Sequence, residues 1–357
     1  ESYKRDRPVG TLPDDELAGW QAKERKRMDE IRGGEDAAEW PYEGVHRVRP
    51  RWNIPGGYRV GGSAIVAEAL LNAGLEGEPL KAARAAVTRT VAFAIDQMDS
   101  NDELARGPKE GYDVRGWGHA YGILLALDHG LVEGEEADEA RELVVDLLDR
   151  LQANQTKQGG WNYANEKNVS PFMTGATLLI LFNAKAHGFD VDTKMVEDAL
   201  EGLEKGTTDA MVYNYSGRAS RREKMPASSA RSSIATLALY KAGRKTQDDL
   251  RVAVQGFFDG WDDLLVRKSQ QGTHKPPYSI APYYFFFGHT YAALAIEELP
   301  EGEREARREE LAGLLWKTRE EDGTWNDRVF PRTSSYSTAM SILALRAPEL
   351  KPVPAWE

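Results

Sequence analysis

Apolar and polar positions along this chain come in long alternating blocks. Six short segments, 63–74, 119–130, 177–188, 232–243, 289–300 and 337–348, are apolar on nearly every side and rich in Ala and Leu. They stop at Gly74, Gly130, Gly188, Gly243, Pro300 and Pro348. Gly accepts the left-handed backbone just past a helix, and Pro cannot continue one. The segments start roughly 48 to 58 residues apart, a period that marks a repeat architecture. Between them lie longer charged stretches with one apolar stripe. In 138–151 the stripe is Val144, Leu147, Leu148 and Leu151. In 247–268 it is Leu250, Val254, Phe257, Trp261, Leu264 and Leu265, with Thr246 and Asp249 placed as a capping box at the start. The stretches 14–31, 79–97, 192–205 and 303–319 read the same way.

A helix apolar all round is buried on most sides, whereas one with a single stripe has a wet face. The pattern therefore predicts an all-α chain of six helical hairpins, with short helices inside and long ones outside. The fold expected is an (α/α)6 toroid filling 1–357 as one domain. Its repeats are expected at about 14–74, 79–130, 138–188, 192–243, 247–300 and 303–348. An open solenoid is the structural alternative, but such arrays need polar caps at their ends and none stands out.

Composition narrows the function. Lys plus Arg is 46 against 57 for Asp plus Glu, a formal charge of −11, which does not suit a general nucleic-acid binder. The basic stretch 218–224 remains a candidate anion site. The absence of Cys excludes disulfides, thiolate metal sites and Cys nucleophiles. The six histidines lack paired ligand spacing, so no metal and no cofactor is expected. No apolar run is long enough to cross a membrane. The Met-less start and the missing Cys lean towards an extracytoplasmic or secreted location.

The loops between outer and inner helices carry a second pattern. Gln155, Gly159 and Trp161 fit the frame Q-x3-G-x-W, and Arg319, Gly323 and Trp325 fit it with Arg for Gln. Trp40, Tyr42 and Gly44, and Tyr213, Tyr215 and Gly217, are looser echoes. These residues resemble the QW repeats of squalene-hopene cyclases and the wider prenyltransferase and squalene oxidase repeat group. The resemblance implies an α/α toroid with a central pocket. The D-x-D-D acid of class II terpene cyclases is missing: Asp96 with Asp99, and Asp262 with Asp263, do not fit it. The segment around His289 is similar to a histidine-bearing inner helix of protein prenyltransferases, but the Cys zinc ligand of that family has no counterpart.

In such a ring the loops before the inner helices meet at one mouth, where site residues are expected. His119, His289, Tyr284 and Asp113 are the candidates for acid–base work. Arg115, Trp117, Tyr121, Tyr163, Tyr213, Arg218, Arg222, Arg231, Tyr283, Tyr291, Arg328 and Tyr336 are the candidates for holding a ligand. His119 and His289 hold the same place in the second and fifth repeats. They either face a common cavity or tie their helices to a neighbour. Rings, Arg and His together suit an anionic or polyhydroxylated small molecule or glycan better than a hydrocarbon. An enzyme, with lyase-type acid–base chemistry, and a non-catalytic module binding a glycan, peptide or protein both fit. A deep pocket with a perturbed His or Tyr would favour the enzyme. A shallow aromatic dish would favour binding, and a filled axis a structural role.

Overall fold

The computed structural model describes residues 39–44, 54–107, 114–128, 137–163, 167–217, 224–270, 274–328 and 333–357. The first outer helix expected at 14–31 lies outside them. The inner helices are α1 (Gly56–Asn72), α3 (Arg115–Asp128), α5 (Pro171–Ala186), α7 (Met225–Lys241), α10 (Tyr284–Ile296) and α12 (Thr333–Arg346). The outer ones are α2 (Gly77–Ser100), α4 (Ala137–Ala153), α6 (Thr193–Lys205), α8 (Gln247–Asp259) with a short α9 (Trp261–Leu265), and α11 (Glu301–Trp316). No strand forms among the described residues, only two isolated bridges, Thr207 with Tyr213 and Lys275 with Ile280.

Each inner helix packs on the next, α1 on α3, α5, α7, α10 and α12 in turn, and α12 packs back on α1. The ring is therefore closed, which settles the toroid against an open solenoid. Burial follows the two helix types. Every residue of α5 from Pro171 to Phe182 is buried, whereas α11 buries only Leu311 and Leu315. The inner helices start a turn or two before their apolar segments; in α1 and α7 those first turns are rich in Gly or in Ser and Ala. The stripe over 247–268 is one helix in the sequence pattern but two in the structure. The chain breaks at Gly260, where a Cβ would lie 2.7 Å from the Ser229 Cβ. The capping box of Thr246 and Asp249 forms as expected.

One hydrogen bond recurs in four repeats and sets the loops against the ring. The backbone N–H of Trp40, Trp161, Tyr213 and Trp325 donates to the hydroxyls of Ser63, Thr174, Ser228 and Thr338, at 2.7, 2.8, 2.8 and 3.0 Å. The Trp161 and Trp325 indoles also donate to the carbonyls of Leu151 and Leu315, which end the preceding outer helices. The tryptophans of the QW-like frame are thus clamps between the rings. Gly159 turns the chain ahead of Trp161 at φ +79°, and a Cβ there would lie 2.0 Å from the Asp198 carbonyl oxygen. Gly159→Ala adds backbone strain to that clash and should cost about 2 kcal/mol or more, read as a lower urea midpoint at unchanged slope.

Candidate functional site

The residue two places after each clamp holds one register in the loop that precedes an inner helix. It is Tyr42 after Trp40, Tyr163 after Trp161, Tyr215 after Tyr213 and Asp327 after Trp325. Tyr42 and Tyr163 join Tyr58, Trp117, Phe172, Tyr283 and Tyr336, seven rings around a space of only about 10 Å³. That is at the lower limit for a single water, so aromatic side chains close the axis at this level. The rings meet edge-on or tilted, with Tyr42 4.6 Å from Tyr336 and Phe172 4.1 Å from Phe287 between centroids, geometry that favours ring edge against ring face.

On one side of this plug several polar groups converge. The Tyr163 hydroxyl bonds to those of Tyr215 and Tyr283 and lies 3.5 Å from that of Tyr284. Burial raises the Tyr284 hydroxyl well above the usual phenol range, so it stays protonated. Arg231 lies beside them, its guanidinium 5.9 Å from the Tyr215 ring centre, and it donates to the carbonyls of Tyr213 and Ala227. Arg267 donates to the Ile280 carbonyl at 3.0 Å. The His274 ring packs edge-on against Tyr215 at 4.7 Å and reaches Tyr283 and Tyr284. Its Nδ1–H donates to the Ser279 carbonyl at 2.6 Å, which leaves Nε2 as the lone-pair nitrogen. Burial of the ring lowers the His274 pKa, and the positive charges of Arg231, Arg267 and Arg328 lower it further against the pull of the carbonyl. The site has a positive field, several phenol hydroxyls and a neutral imidazole.

Asp327, next to Arg328, is fully buried. Loss of solvent pushes its carboxyl up to about 7, against the opposing effect of Arg328. Neither carboxyl oxygen has a hydrogen-bond partner among the described residues.

The candidates named from the sequence divide into groups. Tyr163, Tyr283, Tyr284 and Arg231 come together at the mouth, and Trp117 and Tyr336 form part of its floor. Arg328 adds to the field around His274, and Arg115 donates to the Ala105 carbonyl beneath the loop that precedes α3. Asp113, Arg218 and Arg222 lie outside the described residues. Tyr213 is a clamp, with its hydroxyl 3.0 Å from that of Thr236. Tyr121 and Tyr291 share a 2.7 Å hydrogen bond across the ring, but below the plug and away from the mouth.

The two histidines are a correction. Both are sealed in the packing and share no cavity. The Nε2–H of His119 donates to the Leu104 carbonyl at 2.9 Å, and its Nδ1 accepts from Asn154. The Nδ1–H of His289 donates to the Phe285 carbonyl, and its Nε2 accepts the Trp261 indole N–H at 2.9 Å. Burial lowers both to about 4, so they are neutral near pH 7. They hold one repeat position because they do one structural job. In these two repeats an imidazole joins the inner helix to the outer layer, His119 through Asn154 and His289 through Trp261.

Sequence reasoning missed Asp327 and Arg267 and did not single out His274. A signal for Asp327 was present, since Trp161-Asn162-Tyr163 and Trp325-Asn326-Asp327 align position for position.

No protein-family model matches the chain, and no curated protein sequence matches it. Solved structures do. An unsaturated glucuronyl hydrolase from Bacillus sp. GL1 is 14% identical, with a TM-score of 0.60 over 95% of this chain and 97% of that one. An inactive variant of an alpha-1,6-mannanase of Salegentibacter sp. HEL1_6 is 12% identical, with a TM-score of 0.54 over 92% and 98%. A type II terpene cyclase from Scytonema is 14% identical, with a TM-score of 0.51 over 95% and 100%. At these identities the likeness establishes the α/α-toroid fold and leaves the activity to the site.

Proposed function

We propose that the mouth of this toroid recognises an anionic, polyhydroxylated ligand, a sugar acid or a glycan that carries one. The observation behind this reading is the convergence of the Tyr163, Tyr215, Tyr283 and Tyr284 hydroxyls with Arg231, Arg267 and Arg328 around His274. Guanidinium groups attract a carboxylate, phenols bond sugar hydroxyls, and the half-exposed Tyr215 and Tyr283 rings offer apolar surface to a pyranose. The closed plug favours a shallow dish over a deep reaction chamber. The similar toroids that act on a glycosaminoglycan or a mannan make a glycan ligand a reasonable first choice, as a parallel of shape.

Calorimetric titration with glucuronate-containing oligosaccharides and with their neutral counterparts tests this. The acidic sugars should bind at least tenfold more tightly, a difference of about 1.4 kcal/mol. His274→Ala and Tyr283→Phe should each weaken that binding about tenfold while leaving the thermal midpoint nearly unchanged. Equal affinity for neutral sugars, or no heat at millimolar concentration, would remove the proposal.

Asp327 supports a second, catalytic reading. A buried carboxyl held protonated near neutral pH, next in the chain to the Arg328 of the mouth, is what a general acid requires. In that case incubation with acidic oligosaccharides should release shorter products, and Asp327→Asn should abolish release while leaving binding intact. Stable oligosaccharides in the presence of the unaltered protein would leave recognition alone.

A further inference from the structure

At the end of the ring opposite the mouth, the chain leaves α12 through the turn Ala347–Glu349 and continues in extended form over 350–357. It crosses the opening and is fastened on the far side. The Trp356 N–H donates to the Lys241 carbonyl at the end of α7 (2.9 Å), and its ring lies 5.5 Å from Phe182 of α5. The Lys185 ammonium sits 4.0 Å from the centre of that ring and also donates to the Glu357 carbonyl. The helix α5 stands three places from α12 around the ring, so the segment spans the axis as a strap.

Between this strap and the aromatic plug lies a cavity of about 160 Å³. Its walls are mainly apolar, with Leu124, Leu179, Ile180 and Leu294 among them, and Leu350, Pro352 and Val353 of the strap form the floor. Its polar groups gather at Glu68, Asn72, Asn183 and the Tyr121–Tyr291 pair. Among the described residues Glu68 is the one carboxylate lining it, 8% exposed, with the Asn72 amide donating to it at 3.2 Å. The one lining cation among them is Lys351, which is exposed on the strap. The two tyrosine hydroxyls use one proton on each other, so one O–H remains to donate. Above, Trp117 stacks on Tyr121 at 5.1 Å and Phe287 packs on Tyr291 at 4.5 Å, which separates this space from the mouth.

We propose that this cavity is a second ligand site, for a small amphiphile with a protonated amine on an apolar body about the size of a benzene ring, and that the strap is its door. A dry, fully apolar cavity of about 150 Å³ takes benzene itself. Here the carboxylate at one end selects against a neutral or anionic head, because an ammonium placed beside Glu68 keeps a charge partner when it leaves water. The strap holds the door closed mainly through the Trp356 contacts. Its prolines, Pro352 and Pro354, lack the N–H that would tie it further to the ring.

The test uses the full chain and three probes of one size: benzylamine, toluene and benzoate. Benzylamine should bind at least tenfold more tightly than either of the others by calorimetry. Glu68→Gln should remove that advantage and leave toluene binding unchanged. Trp356→Ala should speed both association and dissociation about tenfold in stopped-flow mixing, with the dissociation constant altered less than threefold. Ile180→Trp, which fills the space, should abolish binding of benzylamine and toluene alike. Benzoate binding as well as benzylamine, no binding of any probe to the unaltered chain, or benzylamine binding that survives Ile180→Trp would each overturn the proposal. The comparison of probes on the unaltered chain decides the matter even if a variant fails to fold. None of these readings depends on a ligand at the mouth.

Discussion

Replacing His289 with alanine should remove about 4 kcal/mol of folding stability and leave ligand binding at the mouth within threefold of its normal value. The imidazole is fully buried and joins α10 to the Trp261 indole. Its loss opens a void and strands a buried N–H, and each of these costs about 1 to 3 kcal/mol. His119→Ala should cost less, about 2 to 3 kcal/mol. The Leu104 carbonyl that His119 bonds also accepts Arg150 at 2.8 Å, so it keeps a partner after the substitution. Urea unfolding of both variants, alongside titration of the mouth ligand, reads the two quantities separately. Little stability loss with binding abolished would restore the histidines to a functional site.

Acid should unfold the protein through these same two groups. Each is held near 4 in the fold against an ordinary value of 6.5. Between those values the unfolded chain takes up protons that the folded chain refuses, so stability rises with pH across the window and is lost as pH falls from 6.5 towards 4. At about 1.4 kcal/mol per unit, each histidine contributes about 3 kcal/mol to the loss. Asp327 acts in the opposite sense. Its folded value of about 7 lies above the ordinary 3.8, so its contribution is complete below pH 3.8 and disappears as pH rises through 7. In the overlap the two histidines outweigh the one carboxyl. Stability should fall by about 3 kcal/mol between pH 6.5 and 4 from these three groups together. Asp327→Asn removes the opposing contribution. That variant should be more stable than the parent at pH 7.5, by up to about 4 kcal/mol, and should lose stability about twice as steeply on acidification. Denaturant midpoints from pH 4 to 8 for both proteins give the comparison. Parallel profiles would mean that the Asp327 carboxyl is ionised in the fold.

The ring itself was legible in the sequence because burial writes itself as composition. The stretch Pro171 to Phe182 of an inner helix is enclosed on all sides and carries no charge, while Glu301–Trp316 shows a face to water and carries many. The same enclosure hides the site. A helix apolar all round has no periodicity to mark which side faces the axis and which the outer layer. His119 and Tyr121 are two residues apart, yet one bonds outward to Leu104 and Asn154 and the other across the ring to Tyr291. Asp327 is equally unmarked, an ordinary loop aspartate until the fold withdraws water from it. What the pattern could have supplied is the spacing from the clamp, since Tyr163 and Asp327 share that register.

Closure of the ring has a consequence in time. The Arg346 side chain donates to the Asn72 carbonyl across 274 positions of sequence, and α12 covers the flank of α1. A ribosome adding roughly 5 to 20 residues per second would need on the order of 14 to 55 s to deliver α12 after α1 has emerged. Through that interval the apolar flank of the first inner helix awaits its partner, and the growing chain is an open arc with two raw edges. The nascent arc therefore needs cover that the finished ring does not, and a chaperone would hold it longest at the edge made first.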